Sequence, residues 1–215
     1  MTAGWPEIWE ITGRSLRVAG AATLLAALAG LPLGVWLGAR PRPGGLAAQV
    51  ILYAGMGLPP VVVGLVLYLL FSRSGPLGWL GLLFTPTAMV LAEAVLALPM
   101  IAGFTLAAVQ ARAAGVRRLV RGLGGTERQV LATLLWESRR PIVAALAAGF
   151  GAAVSEVGAA TIVGGDIRHH TRVLTTAVVL ETRKGDLERA LALGAVLLGV
   201  TLLVTAFLVV WGERR

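Results

Sequence analysis

The sequence predicts an all-α integral membrane protein with five transmembrane helices, and three observations carry that prediction. Of 215 residues, 57% are hydrophobic and 14% charged, against about 45–50% and about 25% in soluble domains. Five stretches each exceed the roughly 20 apolar residues that a helix needs to cross a hydrocarbon core about 30 Å thick. All 19 basic residues fall outside those stretches. Mean hydropathy is +0.82, and the length suits one domain, residues 1–215.

Residues 18–38 form the first span and carry no charge. Gly30, Gly34 and Gly38 lie four apart on one face, which permits close approach to a neighbouring helix. The span is longer than the 7–15-residue apolar region of a signal peptide. Glu7 and Glu10 precede it where such a peptide is basic, so the span is expected to remain in the mature chain. The second span, 46–71, contains Pro59-Pro60, which removes backbone donors and predicts a kink. The third, 85–110, opens on Thr85 as an N-cap with Pro86 at the first helical position; it holds one acid, Glu93, and an internal Pro99 that likewise predicts a kink. The fourth, 142–163, holds Glu156, and Pro141 reads as its first helical position. Thirteen of its 22 residues are Ala, Gly, Ser or Thr, a slim helix suited to close contact or to lining a pathway. The fifth, 190–211, is uncharged. Residues 75–84, with Trp79, read as an interfacial segment, and 174–180 as a surface or re-entrant helix too short to span.

The arginines orient these spans. Arg40 and Arg42 follow the first span, seven basic residues lie in 111–141, and Arg214 and Arg215 end the chain. That places eleven basic residues on one side and eight on the other. The positive-inside rule then predicts the amino terminus outside and the carboxyl terminus inside. By the same rule the net charge of +8 and a pI near 11.5 describe an inner membrane face rather than a nucleic-acid footprint.

The loop 111–141 is too long and amphipathic for a bare connector. Val116, Leu119, Val120 and Leu123, then Val130, Leu131, Leu134 and Leu135, recur at helical spacing. Gly122, Gly124 and Gly125 interrupt the pattern, and Thr126 with Glu127 can start a second helix. The result is a helix, a glycine turn and a helix, which can bind lipid headgroups or dock a cytoplasmic partner.

Leu123-Gly124-Gly125-Thr126 in this setting resembles the coupling loop of type I ABC import permeases. Arg118-Leu119-Val120 stands in place of that family's Glu-Ala-Ala, and Leu134-Leu135-Trp136-Glu137 in place of its Ile-x-Leu-Pro. Further along, Ser155-Glu156-Val157-Gly158-Ala159-Ala160 and Val163-Gly164-Gly165-Asp166-Ile167 resemble the permeases of tungstate-type importers. Thr171-Arg172-Val173-Leu174-Thr175-Thr176-Ala177 and Leu180-Glu181-Thr182-x-Lys184-Gly185-Asp186 extend the likeness, which covers about 40 residues. Asp166 stands where that family is expected to have asparagine. The resemblance implies a type I importer fold like that of molybdate, sulfate and methionine permeases. It further implies a homodimer with a second copy, two cytoplasmic ATPase subunits that carry ATP and Mg, and an extracytoplasmic oxyanion-binding protein.

Under that resemblance Arg117, Arg118, Arg121, Gly122, Gly124, Gly125, Thr126, Glu127 and Arg128 are the candidate ATPase-coupling residues. Ser155, Glu156, Thr161, Gly164 and Gly165 are the candidates for the pathway or gate. A carboxylate would repel an anion, so Glu156 is expected to pair with an arginine or to cap a broken backbone, and Glu93 to act similarly. The double glycine at 164–165 reads as a helix C-cap that exposes backbone N–H groups. No cysteine is present to build a disulfide or thiolate site. No His-Glu-x-x-His, Gly-x-Ser-x-Gly or phosphate loop occurs, and His169-His170 reads as loop rather than metal ligand, so no catalytic, metal or cofactor site is expected on this chain. Two alternatives stay open at this point: a permease for molybdate, sulfate or another anion, and a small membrane enzyme or autonomous carrier.

Overall fold

The computed structural model describes residues 5–40 and 45–213, and all regular structure among them is helical. Arg42, Arg214 and Arg215, which enter the charge count above, lie outside the described residues. Eight α-helices follow in order: α1 (Trp5–Ala39), α2 (Gly45–Met56), α3 (Pro60–Phe71), α4 (Pro86–Gly122), α5 (Glu127–Val154), α6 (Gly158–Gly164), α7 (Leu174–Lys184) and α8 (Leu187–Glu213). A single 3-10 turn, Gly78–Leu80, precedes α4 and leaves Trp79 exposed.

Helices α1, α4 and α8 are each long and apolar enough to cross a membrane alone. The other two spans are bent pairs: α2 and α3 meet at 96°, α5 and α6 at 55°. Counting each pair as one gives the five spans. The prolines explain the first break, because Pro59 is extended at φ −66°, ψ 119° and Pro60 opens a new helix.

Two boundaries differ from expectation. Pro141 lies inside α5 and does not start the fourth span. Its missing N–H costs only the bond to Glu137, and the amphipathic stretch before it already carries the helix. Residues 142–163 are likewise not one helix, since Ser155, Glu156 and Val157 interrupt them. Thr85, in contrast, caps α4 as predicted, accepting from the Ala88 N–H at 3.3 Å, with Pro86 following.

Helix α4 is the centre of the packing. Its Ala97 and Ile101 join Ala22 and Ala26 of α1 and Phe150 and Ala153 of α5 in one buried cluster. The glycine stripe of α1 makes this possible. A Cβ on Gly34 would strike the Ala102 carbonyl and lie 2.7 Å from Thr105 Cβ, and one on Gly38 would lie 2.7 Å from the Leu106 carbonyl oxygen. Helix α8 is the opposite case, leaving Leu191, Leu198, Leu202, Leu203 and Phe207 exposed.

Candidate coupling hairpin and gate

The hairpin is an extension of two spans rather than a separate element. Helix α4 runs without a break from Pro86 to Gly122, and α5 from Glu127 to Val154. Between them Leu123 to Thr126 reverse the chain. Gly124 takes a φ of +78°, a left-handed conformation that L side chains rarely adopt. The Gly125 N–H donates to the Val120 carbonyl at 2.8 Å. Thr126 and Gln129 then form a reciprocal capping box: the Thr126 N–H donates to Gln129 Oε1 at 2.7 Å, and the Gln129 N–H to Thr126 Oγ1 at 3.4 Å.

Glu127 holds the two arms together. It accepts from Arg117 at 2.8 and 2.9 Å and from Arg121 at 2.6 Å. The hydrogen bond from Arg121, with both guanidinium charges, keeps its carboxyl below the ordinary carboxylate range. Arg117 also donates to the Ala39 carbonyl at 2.8 Å, which ties the hairpin to the end of α1. These pairs are exposed, so they set geometry more than stability. Arg118 donates to its own helix at Ala114, and Arg128 is exposed.

The apolar stripe of the hairpin splits between two jobs. Val130 and Leu134 are buried against Val109, with Val116 and Val120 alongside. Leu119 and Leu123 instead face outward, Leu123 being 81% exposed at the tip.

At the other interruption several backbone groups find local partners. Ser155 Oγ donates to the Gly151 carbonyl at 2.7 Å, and Thr161 Oγ1 to the Val157 carbonyl at 2.7 Å. Both hydroxyl hydrogens are thus used within their own chain segment, which leaves neither free to donate to a passing anion in this conformation. Glu156 caps the break, its Oε1 accepting the Ala159 N–H at 2.9 Å, and it pairs with no arginine among the described residues. Thr175 of α7 donates to the Glu156 carbonyl at 2.8 Å, fixing the bend from the side. Gly158 sits beside the first turn of α3, where a Cβ would lie 2.9 Å from Val61 Cγ2. The two interrupted spans therefore meet at their breaks.

Gly165, at φ +74°, closes α6 as the expected C-cap, while Gly164 is packed against Met89. Asp166 accepts from Arg172 Nε at 3.0 Å and Thr176 Oγ1 at 2.8 Å. Its negative charge is therefore matched, and its φ of +47° is one that Asp and Asn both tolerate. One arrangement was not legible in advance, a lattice of ion pairs and hydrogen bonds around these helix ends. Glu7 meets Arg168 at 2.9 Å and Arg189 at 3.7 Å, Glu181 meets Lys184 at 3.0 Å, and His169 Nδ1 meets Glu10 at 2.8 Å. The near balance of acids and bases in those segments was the available signal.

Two interrupted spans thus pack beside a central helix that runs on into a glycine-turned hairpin. The chain belongs to the family of binding-protein-dependent transport system inner membrane components, which it matches over residues 30–215. Within that setting it is 45% identical over 202 residues to a probable anion ABC transporter permease protein of Haloferax volcanii, covering 92% of this chain and 87% of that one. It is 37% identical over 201 residues to the tungstate uptake system permease protein TupB of Peptoclostridium acidaminophilum, covering 94% and 88%. Molybdenum and sulfate permeases of Escherichia coli are more distant, at 29% and 27%. The fold matches a chain of the MetNI methionine ABC transporter with a TM-score of 0.74 at 20% identity, over 97% of this chain and 99% of that one.

Proposed function

We propose that this chain is the membrane-spanning subunit of an ATP-driven importer that takes up an oxyanion, tungstate first among them. Two copies enclose the pathway, an extracytoplasmic binding protein delivers the anion, and two cytoplasmic ATPase subunits hold ATP and Mg and dock on residues 112–137. The amino terminus faces outward and the hairpin inward.

The similarity to tungstate and anion permeases supports the substrate class, and the packed path of α4 and α5 from the 155–157 break to the hairpin supports the coupling. The Glu156 break lies on the same packed pair of helices, α4 and α5, whose far ends form the hairpin. A displacement of Leu123 and its neighbours by the ATPases is thereby passed along two rigid helices to the interruption, a two-state element that nucleotide and binding protein bias from opposite ends. Glu127 keeps the arms moving as one body, and the capping box keeps α5 from fraying under load.

The test is uptake by the complex reconstituted with its ATPase and binding protein, using labelled tungstate and molybdate in competition. ATP-dependent accumulation of tungstate in preference to molybdate is expected. Accumulation of molybdate with indifference to tungstate refutes the substrate, and accumulation by the permease without the ATPase refutes the transport mechanism.

A further inference from the structure

Two cavities flank the end of α1 and share Ala39, Arg40 and Arg117. One, of about 540 Å³, lies between α1 and α4 and is basic, lined by Arg40, Arg117, Arg118 and Arg121 together with Gln110. The other, of about 550 Å³, lies between α1 and α5 and is largely apolar, with Pro32, Val35, Trp36, Leu131 and Leu134 in its wall. Trp36 is 51% exposed and carries the Arg40 guanidinium over its ring, 3.6 Å from the ring centre.

The depth of these cavities follows from the helix register. The first and third apolar spans end at Gly38 and Gln110. A Cβ on Gly38 would lie 2.9 Å from Val109 Cβ, so the two ends are side by side. Arg117, Arg118 and Arg121 lie about two to three turns further along α4. Side chains on a helix lean toward its N-terminus, here back toward the membrane, and the Arg117 bond to the Ala39 carbonyl at 2.8 Å records that reach. The basic cavity therefore sits at headgroup depth, and the apolar one runs from it along α1 to Pro32, at the depth of acyl chains.

The arginines are unequally engaged. Arg117 and Arg121 share Glu127, the carboxylate on the rim of the apolar cavity. Arg118 is exposed and donates to the Ala114 carbonyl at 3.4 Å, and Arg40 is exposed and stacked on Trp36; neither meets a carboxylate among the described residues. Guanidinium groups bind phosphate oxygens through paired N–H donors, and basic cavities between spans at a cytoplasmic membrane face hold anionic headgroups. A free phosphate would use the arginines and leave the apolar groove empty, whereas a lipid fills both.

We propose that the two cavities form a binding site for an anionic phospholipid. Arg40 and Arg118 hold the headgroup phosphate, and an acyl chain lies beside Trp36 and Leu131. That the lipid belongs to the cytoplasmic leaflet rests on the orientation proposed above. The bound lipid bridges the end of α1 and the base of the hairpin, where Arg117 already joins them.

The test uses the permease with its ATPase, purified in neutral detergent and titrated with phosphatidylglycerol or with phosphatidylcholine of the same chains. Native mass spectrometry counts the lipids retained. Preferential retention of phosphatidylglycerol is expected, weakened about fivefold for each arginine removed in Arg40→Gln and Arg118→Gln, and kept in Arg40→Lys. A phosphatidylglycerol with a photoreactive chain is expected to label residues 32–39 or 130–135. Equal retention of the two lipids, retention unchanged in Arg40→Gln, or labelling confined to α8 overturns the site. Displacement of the lipid by inorganic phosphate would show a site for the free ion, and retention only after removal of the ATPase a surface that the ATPase covers; either overturns the proposal. None of these measurements needs an oxyanion or ATP turnover, so their failure is distinct from failure of the uptake assay.

Discussion

The glycine stripe of α1 gives the sharpest quantitative prediction. Replacing Gly34 with alanine places a Cβ 2.7 Å from Thr105 Cβ and closer still to the Ala102 carbonyl, about 1 Å inside the 3.5–4.0 Å of an ordinary carbon contact. The obstacle is largely backbone, so α1 must shift rather than a rotamer yield. Overpacking of this kind costs about 1–3 kcal/mol, offset by about 0.5–1 kcal/mol gained when alanine replaces a helix-interior glycine. Gly20 on the same helix has nothing within 4 Å of its Cβ position and receives the gain without the cost. Gly34→Ala and Gly20→Ala therefore differ by the packing term alone, about 1–3 kcal/mol. Denaturant unfolding of both variants in the same detergent, followed by helicity, reads that difference from the midpoints. Equal midpoints would show that the α1–α4 contact is looser than described, and would refute the reasoning.

Three further outcomes follow from the hairpin. Gly124→Ala has open space around it but a φ of +78°, so it should destabilise the turn by about 1–2 kcal/mol, while Gly122→Ala, within the helix, should not; hydrogen exchange of residues 117–131 measures both. Leu123→Asp, at a side chain 81% exposed, should leave folding and membrane insertion intact and abolish co-purification of the ATPase. Glu127 has a carboxyl held below its ordinary range, so its ion pairs are fully present above the unfolded carboxylate value and are lost as pH falls through the lowered one. Exchange at the hairpin should therefore rise on acidification in the wild type, and the rise should vanish in Glu127→Gln.

Much of this was legible because lipid enforces simple rules. The Thr85-Pro86 start and the Thr126 start each rest on local chemistry, and each appears in the structure as read. The glycine stripe was readable because four-residue spacing fixes one helix face. What escaped was where a helix continues or stops against its local signals. Pro141 looks like a start and is an interior residue, because the preceding turns form a helix with their own cap far upstream. The 155–157 break looks like helix, because small apolar residues continue on both sides; its cause is tertiary, in the Thr175 contact and the approach of α3 to Gly158. The contacts of Glu7 with Arg168 and Arg189, and of Glu10 with His169, join residues more than 150 positions apart, beyond the reach of spacing arguments.

The continuity of α4 has a mechanical corollary. Its 37 residues make a rod about 55 Å long, with Glu93 about 10 Å from the outer end at 1.5 Å per residue. Pivoting about that end, a tilt of about 5° sweeps Leu123 through about 5 Å while moving the level of Glu93 by about 1 Å. The rod is thus a reduction gear of roughly fivefold ratio. Under the coupling role proposed above, a coarse stroke at Leu123 becomes a displacement about fivefold smaller at the level of Glu93.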